Sequence, residues 1–118
     1  MKLKWTIVTL FLVSFFLVVN LAHAGTVRGL IVKQNNQRTE NPIQDIPVTL
    51  CNTEGECSSP VYTDTKGMYY FYNVPAGKYI LKVWPRGYNV GIPVVTPNIQ
   101  VLNQGYTDIT RIVIPSEP

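Results

Sequence analysis

Histidine is almost missing from this 118-residue chain, and the single copy, His23, lies in a segment expected to be removed. Without an imidazole, the working domain lacks the usual proton shuttle near neutral pH and the commonest metal ligand. A serine or cysteine nucleophile would have only carboxylate or lysine to activate it, which argues against an enzyme. Cysteine is equally scarce: Cys51 and Cys57 stand alone, too few for a metal site and not spaced as a C-x-x-C redox pair. Charge is sparse too. Lys33, Arg38, Lys66, Lys78, Lys82, Arg86 and Arg111 are scattered, whereas nucleic-acid binding needs a concentrated basic surface. The carboxylates are no more suggestive. Glu54 and Glu56 share one loop, while acid/base pairs usually come from separate elements; Asp45 and Asp64 are single turn acids, and calcium wants several carboxylates together. No stretch shows the i, i+3, i+4 spacing of a helix, and no apolar run after residue 24 is long enough to span a bilayer. The expectation is a non-catalytic chain without cofactor, metal or nucleic acid.

What is present begins with an export signal. Lys2 and Lys4 precede Trp5 to Val19, apolar apart from Thr6, Thr9 and Ser14, and Ala22-His23-Ala24 gives a small-x-small cleavage site. Residues 1–24 are therefore read as a signal peptide, 25–114 as one domain and 115–118 as a C-terminal tail. Lys2 and Lys4 leave with the signal, so the formal charge falls from +3 to +1. The product is expected in the periplasm or outside the cell, with no membrane span in the mature chain. In such an oxidising place Cys51 and Cys57 are expected to form a disulfide that pins one loop end. Its short loop should contribute less than the ~3 kcal/mol of a 15-residue loop.

The domain reads as strands. Gly25 to Lys33, Ile46 to Cys51, Pro60 to Thr63, Ile99 to Leu102 and Thr107 to Ile114 are candidates, with polar or irregular connections over 34–41 and 89–98. Gly29 within the first run marks a bulge or a close backbone approach. The densest signal is 63–83. There, period-2 runs (Tyr69, Phe71; Tyr79, Leu81, Val83) flank Val74-Pro75-Ala76-Gly77, a pattern expected to close as a hairpin.

The spacing T-D-x-x-G-x-Y-x-F-x-x-V-P-x-G-x-Y-x-L-x-V over 63–83, with a G-x-V-x-G-x-V opening at Gly25, resembles the carboxypeptidase regulatory-like domains. That resemblance implies a transthyretin-like fold in the carbohydrate-binding-like group: all-β, one seven-stranded antiparallel Greek-key β-sandwich. It implies no peptidase activity, because in those enzymes this module is the non-catalytic companion. The histidines through which the related hydroxyisourate hydrolases work are missing. Domains of the collagen-binding B type share the G-x-Y-x-F pattern and carry Lys–Asn isopeptide bonds. Here residues 107–114 hold no asparagine, so Lys33 is expected to sit exposed at a strand end.

With the inward set of the hairpin assigned, Met68, Tyr70, Tyr72, Ile80, Lys82 and Trp84 fall on the opposite face. A solvated strand face would carry Thr, Lys, Glu and Ser instead. Such an apolar face marks an interaction surface, a patch covered by a loop such as 34–43 or 89–98, or cross-strand aromatic pairing. The leading expectation is a structural or protein-interaction module of the cell envelope or exterior that docks an envelope or extracellular protein through this face. The alternative is a carbohydrate-binding module using the same rings.

Overall fold

The computed structural model describes residues 24–115; the expected signal peptide and tail lie outside them apart from Ala24 and Pro115. Ten strands follow in order: β1 Ala24–Gln34, β2 Glu40–Pro42, β3 Pro47–Asn52, β4 Val61–Tyr62, β5 Met68–Pro75, β6 Gly77–Val83, β7 Val94–Val95, β8 Ile99–Val101, β9 Tyr106–Asp108 and β10 Ile112–Ile114. There is no helix among the described residues. The all-β sandwich is as expected, built from two five-stranded sheets. Strand number and direction differ from the expectation. β1 pairs with β9 and β10 in parallel, and the run 107–114 breaks into two strands where Ile109 donates to the Arg28 carbonyl. β2 arises in the polar stretch because Asn35 Oδ1 accepts from the amides of Gln37 and Thr39, turning the chain back along β1. β7 arises because Thr96 exchanges backbone and hydroxyl bonds with Leu81.

β1 is the axis of the first sheet. β5 and β2 occupy one edge, where Ile31 donates to Gly67 and accepts from Ile43, and β9 and β10 occupy the other. The second sheet runs β4-β3-β6, with β7 and β8 both on the far edge of β6. Between the sheets, Val27, Ile31, Tyr69, Phe71, Val74, Ile112 and Ile114 meet Val48, Leu50, Leu81, Val83, Ile99 and Val101. Burying each such side chain is worth about 1.5–3 kcal/mol. Gly29 makes the predicted close approach. The Tyr69 phenol lies where a Cβ on Gly29 would be.

The expected hairpin is not formed. β5 pairs with β1, and β6 pairs with β3, β7 and β8, so the 74–77 bend carries the chain across the core from one sheet to the other. Left-handed backbone at Asn73 (φ 56) and Gly77 (φ 154) brackets the corner, and the Tyr79 hydroxyl donates to the Pro75 carbonyl at 2.7 Å to fasten it. Period-2 alternation is the same whether two strands lie side by side or face each other.

The Thr63-Asp64-Thr65-Lys66-Gly67 turn is fixed by its side chains. Thr63 Oγ1 donates to Ile43 O (2.7 Å) and accepts from Ile46 N (2.9 Å). Asp64 Oδ1 accepts from the amides of Lys66 and Met68, and Asp45 likewise occupies a turn position (φ 64). Gly67 is buried at φ 77, where a Cβ would stand 2.6 Å from the Ile31 carbonyl. Gly67→Ala is therefore expected to destabilise the domain by about 2–4 kcal/mol, since it combines a left-handed strain with backbone overlap. Urea unfolding followed by circular dichroism checks this.

Candidate functional site

The arch divides the expected binding face. Met68, Tyr70 and Tyr72 lie on the outer face of the first sheet, while Ile80, Lys82 and Trp84 lie on the outer face of the second, on the far side of the sandwich. The second group is not an open platform. Its β3 neighbours Thr49 and Cys51 have outward parity yet are buried, and Trp84 packs edge-on to Tyr88 with its indole nitrogen enclosed. Of the six residues only Tyr72, 68% accessible, is fully exposed.

The first group gains partners that sequence reasoning missed. The rings of Tyr70 and Tyr72 lie 5° from parallel with centroids 6.0 Å apart. Arg28 is the β1 residue opposite Tyr70, and its other cross-strand neighbour is Asp108 of β9. Its Nε donates to Asp108 Oδ1, and its guanidinium lies 4.0 Å above the centre of the exposed Tyr106 ring. The outer face thus carries Tyr70 and Tyr72 on β5, Arg28 on β1, and Tyr106 and Asp108 on β9. Arg28 has outward parity in the sequence, but the parallel pairing that brings Asp108 to it spans 80 residues and leaves no local signal.

The arrangement offers contact surface rather than chemistry. The Asp108 carboxyl is held below its usual range by the hydrogen bond from Arg28, opposed by slight desolvation; Glu40 is held down in the same way by Arg111, which grips it through two nitrogens. Burial pushes the Tyr69 phenol up, well away from neutrality. Cys51 and Cys57 are joined as a disulfide, and Asn52 Oδ1 inside that loop accepts from the amides of Glu54 and Glu56, whose side chains face solvent. Lys33 is exposed, with Asn41 as cross-strand partner.

The two ion pairs give a pH signature. Each carboxyl has a folded pKa depressed below its unfolded value, so its contribution is complete above about pH 5 and fades as pH falls through about 4 and below. The Asp108→Asn/Glu40→Gln variant should lose part of this acid dependence. It should show a thermal midpoint close to the parent's at low pH and below it at pH 7, with a gap that narrows in high salt. Thermal scans across pH check it.

The pattern of the SdrD B-like domain matches residues 33–105. No curated protein matches. Among solved structures, a minor pilin of the Gram-positive pathogen Streptococcus agalactiae superposes with a TM-score of 0.63 at 17% identity, over 83% of this chain and 47% of that one. The TIE protein of Bacillus anthracis gives 0.57 at 24% identity, over 78% of this chain and 17% of its own. A Pseudomonas aeruginosa protein named as a candidate carbohydrate-binding protein gives 0.52 at 12%, over 81% and 90%. The chain therefore spans less than half of the first two, and these likenesses establish the sandwich fold. On the matched 33–105 segment, the chain belongs to the SdrD B-like domain family.

Proposed function

We propose that this chain is a non-catalytic structural module, exported by residues 1–24 to the cell envelope or exterior, which docks a protein through the outer face of its first sheet. The observation that carries this reading is the juxtaposition of the stacked Tyr70–Tyr72 pair with Arg28 over Tyr106 on one outward surface. Aromatic and arginine side chains are the residues enriched at protein interfaces, and rings with few rotatable bonds lose little entropy on contact. Family membership supports the reading, as do the pilin neighbours and the likeness of 63–83 to accessory regulatory-like modules. In that signature nearly every residue has a structural use, which leaves the outward rings as the part without an internal role.

Carbohydrate is the second reading, favoured by one feature: Tyr72, one of two parallel rings, is exposed and presents the kind of flat apolar surface on which sugars stack. A Tyr72→Ser/Tyr106→Ser variant separates the possibilities. It is expected to keep the parent's unfolding free energy within about 1 kcal/mol, both rings being exposed, and to lose the protein cross-links that the parent forms in its native envelope. Unchanged cross-links would overturn docking through this face. Saturable calorimetric binding of a soluble polysaccharide, lost in the variant, would put sugar recognition in its place.

A further inference from the structure

We propose that the free edge of β5 pairs with the same edge of a second copy of this chain, antiparallel, about a two-fold axis at Phe71. Among the described residues β5 is hydrogen-bonded as a strand only to β1. Peptide groups along a strand alternate in direction, and the edge residues can be identified from Met68: its amide donates to Asp64 Oδ1 and its carbonyl accepts from Asp64 N, both away from β1. Tyr69 and Phe71 consequently serve β1, while the peptide groups of Tyr70 and Tyr72 face outward. Met68 is already satisfied at one end, and Asn73 leaves strand geometry at the other (φ 56). Two donors and two acceptors remain.

That count fixes the register. Tyr70 opposite Tyr72 of the second copy, and Tyr72 opposite its Tyr70, use all the outward groups in four hydrogen bonds, with the two Phe71 residues facing each other across the axis. Natural edges are guarded by charge, proline, bulges or covering segments; on β5 the bulge opposite Gly25–Val27 and Pro75 come only at or after the end of the pairing segment, and residues 68–72 contain no charge and no proline. A groove of about 570 Å³ lies beneath this edge, walled by Leu50, Val61, Phe71 and Val74, so an added strand would extend the core.

Charge selects the occupant. Glu56 lines the groove and donates its amide to Asn52, the cross-strand partner of Tyr79, whose hydroxyl reaches the Pro75 carbonyl, whereas Lys66 precedes Met68 at the opposite end of β5. An antiparallel second copy brings Lys66 of each molecule towards Glu56 of the other, twice by symmetry. Parallel pairing would bring like charges together.

The pairing uses the backbone of Tyr70 and Tyr72 rather than their rings, so it stands apart from the docking reading, and one position separates the two. Tyr72→Ser removes the ring and keeps the N–H; Tyr72→Pro removes an N–H that β1 does not use. Sedimentation equilibrium of the exported full-length product, from micromolar to millimolar, should show a monomer–dimer equilibrium. Tyr72→Pro should weaken it by at least about tenfold and Tyr72→Ser by no more than about twofold. Lys66→Glu or Glu56→Lys alone should weaken association and the two together restore it, a test that remains if the proline variant does not fold. A monomer at every concentration, a dimer indifferent to a folded Tyr72→Pro variant, or charge reversals that fail to compensate would each overturn the proposal.

Discussion

Four strands hydrogen-bond to β1, and the first sheet exists only because one uninterrupted segment can serve both edges at once. Residues 27–30 hold β5 on one side while 26–28 hold β9 on the other; 32–34 hold β2 opposite β10. Most of these partners come from distant parts of the chain, so the first sheet is built mainly from long-range pairings. Its inward residues Val27 and Ile31 are completely buried, and its outward Arg28 carries the ion pair to Asp108 of β9. Core and candidate surface therefore depend on the same strand.

Seen through the arch, the 63–83 signature is a set of structural parts. Thr63 and Asp64 saturate a tight turn, and Gly67 allows β1 to approach. Tyr69 lies on Gly29, and Tyr79 bonds the corner that Pro75 forms. This accounts for a pattern that identifies a fold while leaving the ligand open: the constrained positions face inward or hold turns. On the reading proposed above, binding falls to the residues between them. Arg28, Tyr70, Tyr72 and Tyr106 are not required by the core, which is why their grouping on one exposed face carries meaning.

The disulfide and the two ion pairs are peripheral fasteners by comparison. Cys51–Cys57 closes a loop of six-residue separation, and the Arg111–Glu40 bridge links the segment before β10 to β2 across β1. Exposed pairs contribute little in water, so the sandwich rests on its interlocked apolar faces. Grooves lie at both sides of the sandwich, one between β5 and the disulfide loop and one between the 94–100 and 107–113 segments.

The strands β1, β3, β4, β5, β6 and β8, the inward parity of Tyr69, Phe71, Leu81 and Val83, the turn at 64–67 and the Cys51–Cys57 pair were legible in the sequence, because each depends on residues close together in the chain; β2, β7 and the split of 107–114 were not. Alternation reports which way a side chain points relative to its own strand; turn chemistry reports local dihedral angles. Neither contains the identity of a neighbour. Whether β5 and β6 lie side by side or face each other across a core, which separates Tyr70 from Trp84, was determined by long-range pairing. So were the approach of Asp108 to Arg28 and, among the described residues, the lack of a second strand beside β5. Those contacts are made by whole sheets packing to bury apolar area, a collective outcome that no short stretch of residues encodes on its own.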